Sequence, residues 1–161
     1  MFKYLPLLLL LPLIAACDDD DAGPQPTAVI IESLQVDRFP VERPDSTSWD
    51  EPIFGNLPDI IFTVEDRTNN TEVYSHPVNL RFDEVAAGTT LEWTNLNLRL
   101  ENPGSVDYAF NIFDYDEDLD LAELMGGVIA RLYRSAAGTP EMAILDAEGE
   151  VAFSLSLSWE F

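Results

Sequence analysis

Carboxylates supply most of the chemistry available to this chain. Asp114, Asp116, Glu117, Asp118 and Asp120 place five acids in seven residues, directly after the apolar and aromatic run Tyr108–Phe113. Charges of one sign this close repel unless solvent or a cation takes up the field. Calcium suits such a donor set, because it takes six to eight oxygen ligands in flexible geometry. Two aspartates one residue apart at a strand end can aim both carboxylates at one site. Other reactive groups are scarce. Cys17 is the only cysteine and His76 the only histidine.

That scarcity argues against catalysis. His76 is followed by Pro77 and reads as a strand end rather than a base. No Gly-x-Ser-x-Gly elbow or zinc-type histidine spacing occurs, and Gly126-Gly127 lacks the lysine of a phosphate loop. The alternation Asp114, Asp116, Asp118, Asp120 is not an EF-hand either. Leu119 stands where that loop needs glycine, and Met125 where it needs a bidentate glutamate. The expectation is a binding module, not an enzyme.

Of 161 residues, 30 are Asp or Glu and 8 are Lys or Arg, for a formal net charge of −22. A field of that sign repels nucleic acid and anionic lipid head groups, and attracts cations.

The amino terminus reads as an address. Met1-Phe2-Lys3-Tyr4 carries one positive charge, residues 5–16 are apolar, and Asp18 begins an acidic block. This is the pattern of a secretory signal. The run is too short to span a bilayer, which takes about 20 apolar residues. Ile14-Ala15-Ala16-Cys17 resembles the bacterial lipobox, which implies cleavage after residue 16 and acylation of Cys17. Two or three acyl chains, palmitate among them, would hold the chain stably on a membrane. Asp18 to Asp21 resemble the export signal of surface lipoproteins, and the aspartate after the cysteine also resembles an inner-membrane retention signal. The expected location is the bacterial cell envelope, on the outer membrane by first choice, and the acidic block leaves surface export and inner-membrane retention both open. Residues 17–27, ending Ala22-Gly23-Pro24-Gln25-Pro26-Thr27, read as a flexible acidic tether.

Residues 28–161 form one domain. Short β-rich runs broken by Gly, Pro, Asn and Asp predict an all-β sandwich. Candidate strands are 28–39, 60–65, 71–76, 89–93, 96–101, 108–113, 128–133, 142–145 and 151–161. Asn69-Asn70 and Glu148-Gly149 sit where hairpins turn. In the last strand Val151, Phe153, Leu155, Leu157 and Trp159 share one face, opposite Ser154, Ser156, Ser158 and Glu160. One face is buried and one wet. Trp93 and Trp159 are assigned to the core.

The order of these features resembles the C-two domain, the calcium- and phospholipid-binding family named for the second conserved region of protein kinase C. In that family a strand ends in an aromatic or aliphatic residue followed by Asp-x-Asp, a further acid, two apolar residues and glycine. Phe113-Asp114-Tyr115-Asp116, then Asp120 and Glu123, then Leu124-Met125-Gly126 follow this order. Upstream, Trp49-Asp50-Glu51-Pro52 and Pro58-Asp59-Ile60 look like the family's first acidic loop. The resemblance implies an eight-stranded antiparallel sandwich with calcium held at one end by Asp50, Asp59, Asp114, Asp116, and Asp120 or Glu123. Asp45 competes with Asp50. Trp49 would lie beside the loop, packed there or dipping into head groups. The implied partners are the anchoring membrane and an anionic lipid or envelope protein. The alternative is a metal-free, immunoglobulin-like sandwich that docks on an envelope protein or glycan.

Overall fold

The computed structural model describes residues 23–49, 57–116, 120–135, 137–148 and 150–161. Eight antiparallel strands build two four-stranded sheets: β1 (Ala28–Arg38), β2 (Ile60–Asp66), β3 (Thr71–Ser75), β4 (Leu91–Glu101), β5 (Tyr108–Asp116), β6 (Leu121–Ala130), β7 (Met142–Ala147) and β8 (Val151–Glu160). One sheet runs β4-β1-β8-β7 and the other β3-β2-β5-β6. The expected all-β sandwich is the observed architecture.

Alternation in the sequence explains the packing. Val151, Phe153, Leu155 and Leu157 of β8 face Phe62, Val64, Phe110 and Ile112 of the other sheet within one apolar core. In β1 the inward residues are Val29 and Ile31, then Leu34 and Val36. The phase changes because the pairing shifts register between Ile31 and Ser33, and an inserted residue flips which side chains face inward.

The same shift corrects one expectation. Runs 89–93 and 96–101 are one strand, β4, not two. Asn95 and Asn97 take positive φ (57° and 48°) and bulge outward, so that Trp93 still pairs with Leu34 and Leu98 with Ile31. Asparagine tolerates this left-handed backbone better than most residues. Asn70 does the same (φ 51°) in the β2–β3 hairpin, as expected. Glu148 also has positive φ before β8, while Gly149 lies outside the described residues.

Two more boundaries move. β5 continues through Asp114, Tyr115 and Asp116, and β6 begins at Leu121 rather than residue 128. The first three residues of the acidic run, Asp114 to Asp116, are therefore a strand end. Residues 131–133 lie outside any strand.

The aromatic residues gather beside β3 and β4. Phe62 stacks on Tyr74 and His76 at centroid distances of 5.1 and 5.3 Å, and Trp93 lies 4.7 Å from Phe62. His76 is buried there. Trp93 Nε1–H donates to His76 Nε2 over 3.0 Å, and Tyr74 Oη lies 3.2 Å from Nδ1. Burial holds the imidazole below its usual pKa. Trp93 is a core residue as expected, and Trp159 packs half-buried against the core with Nε1–H donating to Pro140 O.

Candidate functional site: an acidic sandwich tip

Hydrogen-bonded pairing brings the two acidic stretches together. β2 and β5 pair with Ile60 opposite Asp114, and β5 and β6 pair with Asp114 opposite Glu123. Asp114 continues the inward-facing series Tyr108, Phe110, Ile112, so alternation sends its carboxylate to the end of the core. It is 3% exposed. Asp59 N–H donates to Asp114 Oδ1 over 2.9 Å, and Tyr115 N–H donates to Asp59 O over 2.8 Å.

The electrostatics follow from that placement. Burial, foremost, and the nearby Asp59 and Glu123 charges push the Asp114 carboxyl up to about 6, against the opposing hydrogen bond from Asp59 and the Arg43 charge. Asp59 itself is held from two sides. Arg81 Nε donates to Oδ2 over 3.0 Å, and Glu84 N–H donates to Oδ1 over 2.9 Å. Glu123 accepts from the Arg43 guanidinium through Nε (3.0 Å) and Nη2. Arg81 also pairs with Asp83 at 2.7 Å and lies over the Tyr115 ring. Two arginines thus stand beside four carboxylates, Asp59, Asp83, Asp114 and Glu123.

The remaining expected ligands are placed differently. Asp116 ends β5 opposite Leu121. Asp120, at φ 50°, accepts a hydrogen bond from Tyr115 Oη–H over 2.8 Å. Asp45 serves its own turn, accepting from Thr47 N–H (3.0 Å) and Oγ1–H (2.6 Å), and these bonds lower its pKa. Asp50 and Cys17 lie outside the described residues. Trp49 is buried, with Nε1–H donating to Pro40 O over 2.9 Å and Arg43 stacked on its ring. A Trp49 that dips into head groups is therefore overturned: the ring is enclosed in the core.

The donors fit calcium in kind, being hard oxygens, but not yet in grouping. Among the described residues no three His, Cys, Asp or Glu side chains gather closely enough to hold a metal ion. Arg81 and Arg43 stand where the compensating charge of a cation is needed.

Sequence reasoning did not find these two arginines, nor the role of Gly126 and Gly127. A Cβ on Gly127 would lie 2.7 Å from Phe110 O, and one on Gly126 would lie 2.6 Å from Val151 Cγ2. The pair of glycines lets β6 close against β5 and β8. Arg43 is 80 residues from Glu123 and Arg81 is 22 from Asp59, and only the fold reveals these pairings.

No protein-family model and no curated protein matches the sequence. Among solved structures, the chain is similar to the C-two A domain of plant extended synaptotagmin 1, at 11% identity and TM-score 0.42, over 85% of this chain and 97% of that one. It is similar to the C-two A and B domains of extended synaptotagmin 2 at 12% identity and TM-score 0.43, and to a longer fragment of that protein with its SMP domain at 16% and 0.36. These matches cover 99% and 88% of this chain but 49% and 30% of those. At such values the likeness assigns no ligand to this chain, and the fold class rests on the strand pairing itself.

Proposed function

We propose that the protein is a lipid-anchored binding module of a bacterial envelope, whose acidic tip takes calcium and through it an anionic ligand. The observation that carries this reading is Asp114. A carboxylate 3% exposed, raised to about 6 by burial and two neighbouring acids, is a group whose charged form a further cation would stabilise. Asp59, just ahead of β2, with Asp114 of β5 and Glu123 of β6 would hold the ion once they draw closer together than they stand here, with Asp50, Asp116 and Asp120 as further candidates. Calcium supplies charge neutralisation and open coordination positions for a phosphate or similar anion. Asp59 can serve only if Arg81 gives way, so calcium and arginine compete for one carboxylate.

Melting curves of the full chain in non-ionic detergent, at constant ionic strength, test the reading. Calcium at a hundredfold excess over its dissociation constant stabilises the folded state by about 2.7 kcal/mol. The expected result is a rise of several degrees that chelator reverses and that Asp114→Asn abolishes. Arg81→Gln should melt lower in chelator and gain more from calcium than the parent. No shift at millimolar calcium in either protein would end the calcium reading.

One observation favours a second reading. Arg81 and Arg43 already compensate Asp59 and Glu123, as they would in a metal-free module that docks on an envelope protein or glycan. There Arg81→Gln loses stability and calcium does not restore it.

A further inference from the structure

Strand β7 belongs to the other sheet from the tip strands β2, β5 and β6. The sandwich has four edge strands: β4 and β7 in one sheet, β3 and β6 in the other. Three pair with register shifts, between Ile31 and Ser33 for β4, Val64 and Glu65 for β3, and Ile112 and Phe113 for β6. Such irregularities twist an edge away from further pairing. β7 has none. It pairs with β8 without interruption from Met142 opposite Ser156 to Ala147 opposite Val151. It also contains no proline, glycine or lysine, and its one charged residue, Asp146, is paired with Arg38.

The backbone direction follows from one hydrogen bond. Leu157 N–H donates to Glu141 O over 2.8 Å, which makes Glu141 and its opposite residue a hydrogen-bonded pair. Alternation then points the amides of Ala143 and Leu145 toward β8, and those of Met142 and Ile144 toward the free edge. The side chains of the same two residues are 65% and 74% exposed, the most of any large apolar residues among those described. Exposed Glu141, Glu148 and Glu150 flank the stretch.

We propose that β7 is a docking edge that accepts one extended strand from a partner protein, apolar along its length and basic at its ends. Main-chain bonds to Met142 and Ile144 would give affinity, and the flanking glutamates would select lysine or arginine at the ends of the incoming strand. A second copy of the chain is disfavoured as occupant, because each carries a formal charge of −22.

The test is titration of the full chain in non-ionic detergent with a synthetic peptide of alternating valine and threonine, bearing two lysines at each end. A control peptide has glutamates at the ends. Ile144→Pro removes an edge-facing N–H while leaving the bonds to β8, and Ile144→Lys keeps the N–H but adds a repelling charge. The expected result is saturable binding of the lysine peptide, at least tenfold weaker binding of the glutamate peptide, and at least tenfold weaker lysine-peptide binding by both variants. Asp114→Asn should bind like the parent, which separates this edge from the tip. The proposal fails if the lysine peptide does not bind, if both peptides bind alike, or if both variants bind like the parent. It also fails if the parent self-associates and Ile144→Lys does not, since the edge would then belong to a second copy.

Discussion

Asp114 sets the terms at the scale of single residues. Its carboxyl is raised from 3.8 to about 6 in the folded chain, so the folded state holds its proton more tightly than the unfolded state. The sign follows. Below pH 3.8 the group is neutral in both states and costs nothing. As pH rises through 6 the buried charge must form, and stability falls by about 3 kcal/mol, each tenfold change in proton affinity being worth about 1.4 kcal/mol. Asp114→Asn, in chelator, should therefore melt higher than the parent at pH 7 by several degrees, and the gap should close by pH 4. A gap that does not depend on pH would mean that the carboxylate is not the strained group. The acid at this position was legible from Asp-x-Asp after a strand. Its burial was not, because alternation had to be followed through β5 one residue beyond the apolar run.

Each strand also carries its own constraint. Gly127 sits where a Cβ would press on the Phe110 carbonyl oxygen, which is backbone and cannot swing aside. Gly127→Ala should cost about 1–3 kcal/mol and lower the melting temperature by several degrees, through loss of β5–β6 closure. Circular dichroism melts check this, and a neutral outcome would show that β6 can move outward at no cost. Strand β8 was readable from period two alone, as was the inward series Tyr108, Phe110, Ile112 of β5. β4 was not, because a bulge reverses the phase of the pattern, and a phase reversal in one sequence looks like the end of one strand and the start of another. β6 was missed at its start for a related reason: Leu121, Ala122, Glu123 and Leu124 are all exposed, so nothing in their order marks a buried face.

Across the whole molecule, charge is the ruling quantity. Seven arginines oppose 30 acids once Lys3 is set aside. Ion pairs span long stretches of chain, with Arg38 on Asp146, Arg43 on Glu123 and Arg99 on Glu160. Exposed pairs of this kind stabilise by at most about 1 kcal/mol each. Net repulsion should dominate, and raising sodium chloride from about 10 to about 500 mM in chelator should raise the melting temperature. A fall would show that the pairs outweigh the repulsion. The proposed anchor belongs to this scale too. Detergent-phase partitioning should place the parent chain in the detergent phase and Cys17→Ala in the aqueous phase, and equal partitioning would remove the lipid from the account.

The sequence by itself determined the class of the fold and the excess of acids, because alternation and composition are local properties that any chain segment carries on its face. It also offered Asp59 and Asp114 among six candidate acids, through the resemblance of their surroundings to the C-two loops. Only the tertiary structure decided that an amide of one holds the carboxylate of the other. It alone put Arg81 and Arg43 among those acids and enclosed Trp49. The physical reason is range. A carboxylate's partners are chosen by whichever strands pair, and Asp59 and Asp114 are 55 residues apart along the chain, a separation across which no local pattern can specify a contact.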